Sequence, residues 1–155
     1  TFSGLGAYSD YKHLQIRMVA RSTYPNSFDK VTFDIRLNGV STNSYSQHGL
    51  FGTGSSVVSE NGVGYSAMSG GNIPTNFATA NTFGASVIDI LDFSSSTKNT
   101  TIRSFNGYYA QSTRRVGLFS GFLNDTSAVT SITFTEGSTV YGFTAGSRFS
   151  LIGVK

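Results

Sequence analysis

The chain has 155 residues, enough to bury one sizeable core, with 38% hydrophobic but only 12% charged residues. With 24 Ser, 18 Thr and 18 Gly, this composition suits strands with hydroxyls on their outer faces and Gly turns between them. It argues against helices, whose solvent faces rely on Lys and Glu, and the 14% aromatic content argues against disorder. The net charge of +3 comes from Lys12, Arg17, Arg21, Lys30, Arg36, Lys98, Arg103, Arg148 and Lys155, which are scattered, and from the adjacent Arg114 and Arg115. No basic patch of the kind nucleic-acid binders concentrate is formed. The absence of Cys removes disulfides and thiolate metal sites. No apolar run is long enough to insert in a bilayer, and no signal peptide is visible.

In chain order, residues 13–21 open the strand pattern: Leu14, Ile16, Met18 and Ala20 alternate with His13, Gln15, Arg17 and Arg21. Residues 31–38 repeat it, with Val31, Phe33, Ile35 and Leu37 against Thr32, Asp34, Arg36 and Asn38, and Asn38-Gly39 marks a turn. Strands are expected at 45–51 and, more weakly, at 63–68. Residues 85–93 are nearly continuous in apolar side chains (Val87, Ile88, Ile90, Leu91, Phe93), as in a central strand covered on both sides. Further strands are expected at 100–109, 116–123, 129–135 and 148–154. Turns are expected at 52–56, 69–72, 94–97 and 136–138, and 74–81 has room for one short helical turn. Eight or nine short strands spaced by Gly, Ser and Asn predict one domain over 1–155, an all-β antiparallel sandwich of jelly-roll type. A start at Thr1 rather than Met leads us to expect the C-terminal part of a longer chain.

Chemistry is poorly supplied. His13 and His48 are the two imidazoles, and neither lies in a nucleophile elbow, a Walker A loop or a His-Glu-x-x-His helix. Asp89 and Asp92 lie three apart, so in a regular strand they face opposite ways and cannot flank one substrate. One of them is expected to bond a cross-strand Arg, Ser or amide, because an unpaired buried carboxylate is costly. Asp-rich calcium loops are missing. We therefore expect no catalytic residue, no metal and no cofactor. Asn99-Thr100-Thr101 and Asn124-Asp125-Thr126 fit the glycosylation acceptor pattern, which matters only in a eukaryotic secretory pathway.

What remains suits contact. Tyr and Arg are enriched at binding hot spots, and aromatic faces stack on sugar rings. Tyr108, Tyr109, Arg114 and Arg115 cluster in what reads as a loop between two strands. Tyr24 and Phe28 lie in the Tyr24-Pro25-Asn26-Ser27-Phe28 connection of the first two strands. These six are the expected receptor or partner contacts, against the blander role of covering the sandwich ends.

Longer stretches carry a resemblance. Tyr11-Lys12-His13-Leu14-Gln15-Ile16-Arg17, then Ala80-Asn81-Thr82-Phe83-Gly84 and Val87-Ile88-Asp89-Ile90-Leu91-Asp92-Phe93, are similar to segments of a family of virion proteins from tailed bacteriophages, common in aquatic phages. Lys98-Asn99-Thr100-Thr101 with Arg103, Val129-Thr130-Ser131-Ile132 and residues 147–155 extend the likeness, while residues 40–76 match least. The motifs are strand patterns rather than active-site signatures. The resemblance implies a jelly roll at a tail-fibre tip or on a capsid surface, extracellular with its particle. It also implies a homo-oligomer, a trimer by likeness to fibre modules, in contact with other virion proteins or a host cell-surface glycan. Nucleic acid and membrane are not expected partners. The alternative expectation is a carbohydrate-binding module of a larger extracellular enzyme, and a glycan-cleaving depolymerase is disfavoured by the missing carboxylate pair.

Overall fold

A computed structural model describes residues 1–25, 27–138 and 140–155. Among the described residues eleven strands form, rather than eight or nine: β1 (Phe2–Ser3), β2 (His13–Ala20), β3 (Lys30–Leu37), β4 (Tyr45–Gly52), β5 (Val57–Tyr65), β6 (Met68–Pro74), β7 (Gly84–Leu91), β8 (Thr101–Tyr109), β9 (Arg114–Leu123), β10 (Ser131–Glu136) and β11 (Arg148–Val154). The described helical structure is one 3-10 turn, Leu5–Tyr8. Residues 74–81 contribute the end of β6 and turns.

The strands make two antiparallel sheets, a four-stranded one in the order β1-β10-β3-β6 and a seven-stranded one in the order β11-β2-β7-β8-β9-β4-β5. The chain crosses repeatedly between the two sheets of this β-sandwich, with β1, β3, β6 and β10 in one and the other seven strands in the second. The β8–β9 hairpin widens the second sheet between β7 and β4. The alternating strands behave as their pattern predicts. Ile16, Met18, Ile88, Ile90 and Ile102 face Phe33, Ile35, Leu37 and Ile132 in one continuous core. Asn38 and Gly39 both take positive φ (53° and 68°), the conformation a tight two-residue turn requires. Tyr45 is fully buried, and its hydroxyl accepts the Leu37 N–H at 2.9 Å, tying that turn to the core.

Two expectations fail in the middle of the chain. The pattern at 63–68 straddles the junction of β5 and β6. The expected turn at 69–72 is instead the middle of β6, buried at Gly70, Gly71 and Asn72. The reason is that β6 packs on the other sheet through polar and glycine contacts rather than apolar alternation. Ser104 donates to the Gly70 carbonyl at 2.6 Å, and Asn106 accepts the Asn72 N–H at 3.1 Å and donates to Ser86 at 2.8 Å. Ser69 N–H reaches Gln47 Oε1 at 2.6 Å. Residues on β4 and β8 thereby satisfy donors of an edge strand. β5 was illegible for a different reason: its side chains are exposed on both faces, so no alternation is required.

The expectation that 85–93 is covered on both sides is also corrected. β7 is interior to its sheet, and Ser86, Ile88 and Ile90 point into the core, but Val87 and Asp89 point outward onto an open face.

Candidate functional site

That open face is built by strand register. Val87 on β7 lies directly opposite Phe105 on β8, Phe105 opposite Leu118 on β9, and Leu118 opposite Leu50 on β4. The four form one apolar row across four strands, and Phe105 and Leu118 are 54% and 58% exposed. Two residues along each strand a polar row runs parallel: Gln15, Asp89, Arg103, Ser120, His48 and Asn61 on β2, β7, β8, β9, β4 and β5. Beyond it lie Phe122 and Val63, at either side of Ser46. A cleft of about 650 Å³ follows the first two rows, and a second of about 380 Å³ continues it past His48, Asn61 and Ser120.

β8 and β9 depart from the alternation of β2 and β3, although Ile102, Phe119 and Leu123 still point into the core. Their inward positions include Ser104, Asn106, Gly117 and Gly121, whereas Phe105, Val116, Leu118 and Phe122 face out. Small inner residues allow the sheets to approach, as Gly71 does beneath Asn106. The outer side of the four-stranded sheet carries Thr32 and Thr133 beside Asp34 and Arg36.

The polar row is partly fixed. Asp89 accepts from Gln15 Nε2 at 3.1 Å through one oxygen and from Arg103 Nη2 at 3.3 Å through the other. This is the cross-strand Arg partner expected for one of the two aspartates. Asp92 lies just past β7 with φ 50° and pairs with Lys98 at 2.8 Å. Its carboxyl is held below the ordinary carboxylate range, mainly by the Lys98 hydrogen bond and charge. Ser120 and His48 are direct cross-strand neighbours, but Asp89, three strands from the imidazole, is engaged by Gln15 and Arg103 and does not orient it. Among the described residues, no group of three or more His, Asp and Glu is placed to hold a metal ion.

The residues expected to make contacts divide between faces, as strand alternation demands. Tyr108 and Arg115 point inward. Tyr108 is 6% exposed beside Ala78 and Ala110 with its hydroxyl near Thr113, and Arg115 lies 4.0 Å above the Phe51 ring and donates to Asn72 at 3.1 Å. Tyr109, 62% exposed, and Arg114 point outward. The guanidinium lies 5.7 Å from the Tyr109 ring centroid, and the pair sits at the end of the same open face. The loop is shorter than expected, 110–113, and Asp29 holds it through bonds from both N–H groups and both hydroxyls of Ser112 and Thr113. Tyr24 packs edge-on against Tyr141 at 4.9 Å, and Phe28 is exposed at the sandwich end. Asn26, between them, lies outside the described residues.

Sequence reading missed Leu50, Val87, Phe105 and Leu118 as a surface group. The available signal was that 104–107, Ser-Phe-Asn-Gly, and 117–121, Gly-Leu-Phe-Ser-Gly, set large apolar residues among small ones, leaving too little apolar bulk at one parity to fill a core.

A smaller hollow, about 310 Å³, opens beside Asp34, Gln47, Tyr65 and Ser69. Burial raises the Asp34 pKa, opposed by Arg36 and reinforced by Glu136. Comparison with protein families, with curated proteins and with solved structures finds no match to this chain.

Proposed function

We propose that this chain is a non-enzymatic structural protein of a tailed-phage particle, a fibre-tip or capsid-surface module whose seven-stranded sheet presents its outer face for host attachment or particle decoration. The observation that carries the reading is the row Val87, Phe105, Leu118 and Leu50, an apolar stripe left open across four adjacent strands. Monomeric proteins seldom leave such patches without a partner. A rigid sheet is also a firmer platform for contact than loops, because the backbone ladder fixes where each side chain leaves the strand. The polar row beside the stripe orients a partner, and the outward Tyr109–Arg114 pair extends the surface. The resemblance of residues 11–17, 80–93 and 147–155 to virion proteins supplies the setting, an extracellular particle with other virion proteins as neighbours.

The reading predicts self-association as well. β5 ends the seven-stranded sheet as a nine-residue edge with Val57 and Val63 73% and 80% exposed. Closed symmetry, a trimer here, would cover such edges. Fluorescently labelled protein applied to candidate host cells tests the attachment role. Binding that is reduced at least about tenfold when Leu118→Asp is introduced supports it, on the scale of losing one buried anchor. Equal binding by the variant removes this face from attachment.

A further inference from the structure

We infer that the cleft on the outer face of the seven-stranded sheet binds a neutral oligosaccharide, laid across the strands along the polar row with Phe105 as its stacking platform. The inference rests on the reading of this face as the contact surface and names what touches it. A sugar ring is amphipathic: its C–H face packs on apolar or aromatic surface while its rim of hydroxyls needs donors and acceptors. The cleft offers both at once. Phe105, Leu118 and Leu50 make the apolar floor, and Asp89, Arg103, Ser120, His48 and Asn61 run beside it in register. Its volume, about 650 Å³, lies within the range of small-ligand sites.

The polar groups are held ready rather than used up. Gln15 and Arg103 each take one oxygen of Asp89, which fixes the carboxylate and leaves further lone pairs and guanidinium N–H groups facing the cleft. Among the described residues, Ser120, His48 and Asn61 have no side-chain hydrogen bond within the protein. Neighbouring strands stand about 4.8 Å apart, so the row sets a polar group at each step of an extended ligand crossing the sheet.

Charge does not favour a polyanion: on this face Asp89 offsets Arg103, and Arg17, opposite Val87 and bonded to Gln15, is one further cation, so nucleic acid or a polyuronate meets no basic patch. A second copy of this chain fits less well, because dry protein packing would bury the Asp89–Arg103 pair and the unpartnered row without replacing their water.

The test is calorimetric titration of the purified full chain with short neutral oligosaccharides built on glucose, galactose, mannose and N-acetylglucosamine, with uronate oligomers in parallel. At least one neutral series should bind. Phe105→Ala and Arg103→Ala should each weaken it about tenfold with the melting temperature unchanged, since both side chains are exposed, and Tyr8→Ala, on the 3-10 turn, should not. Failure of every neutral series at millimolar concentration, preference for uronates, or indifference to Phe105→Ala overturns the inference. So does an oligomer whose interface covers Phe105, revealed by dissociation in Leu118→Arg. Cell binding keeps the two readings apart. If Phe105→Ala abolishes attachment while no sugar binds, the ligand class is wrong and the contact face stands. If sugar binds through Phe105 but attachment ignores the substitution, the saccharide site stands and the attachment role falls.

Discussion

Asp29 shows how much one side chain can fix. It is buried just before β3, and its two oxygens accept four hydrogen bonds from Ser112 and Thr113, each between 2.7 and 2.8 Å. Burial alone would raise its pKa, but the four donors outweigh that and the net shift is downward. A folded-state pKa below the unfolded value of about 3.9 means the contribution to stability is complete above that pH. It is lost as the pH falls through the folded value. Thermal unfolding followed from pH 7 downward should therefore show an acid-labile component that Asp29→Asn removes. At neutral pH that variant should be less stable by about 2 kcal/mol, because its amide NH₂ faces donors. A variant as stable as the parent, with the same acid profile, would show that the loop is held some other way. Arg21 plays a similar part: buried at the end of β2, it donates to the carbonyls of Ala78, Thr79 and Thr82 and to Asn76 Oδ1. Desolvation lowers its pKa. Neither role was visible in the sequence, where Arg21 was one scattered cation, because the partners lie more than 50 residues away.

Among the elements, β6 carries the most unusual packing. Gly71 sits at φ 117°, and a Cβ there would lie 2.6 Å from Asn106 Cγ. At Gly70 a Cβ would run into the Phe33 ring. Gly71 lets β6 close onto β8, where Ser104 and Asn106 bond its backbone, while Gly70 leaves room for the Phe33 ring of the neighbouring β3. Gly71→Ala should destabilise the fold by about 3 kcal/mol, from backbone strain together with a displaced buried amide. Urea unfolding measures it, and a loss below about 1 kcal/mol would mean the inter-sheet spacing is softer than the contacts imply. The pair Gly70-Gly71 reads naturally as a turn because glycine is the usual turn residue. Here the same lack of a side chain serves close packing, which depends on what lies opposite and not on the neighbouring residues.

Across the whole molecule, the two sheets have unlike outer faces. Threonine and charged side chains (Thr32, Thr133, Asp34 and Arg36) make up the outer face of the four-stranded sheet, while apolar and polar rows share the seven-stranded one. With only 12% charged residues, little repulsion opposes association of such a surface. Mass measurement in solution should give a homo-oligomer, a trimer on the present proposal. A monomer at high concentration would count directly against the proposal and leave the β5 edge open. No helix among the described residues is long and apolar enough to cross a membrane.

The all-β class and most strand positions follow from the sequence itself. Alternation in residues such as Leu14, Ile16 and Met18 states locally which side chains must leave water, and Asn38-Gly39 admits few conformations other than a turn. What only the tertiary structure decided is which strands become neighbours. The row Val87, Phe105, Leu118 and Leu50 is drawn from four strands, and its members join one face because pairing and register align them and β8 and β9 carry large apolar residues outward as well as inward. Period-2 alternation fixes that adjacent side chains oppose each other, so Tyr108 and Tyr109 had to separate. It does not fix which of them faces the core, since that depends on the sheet packed beneath.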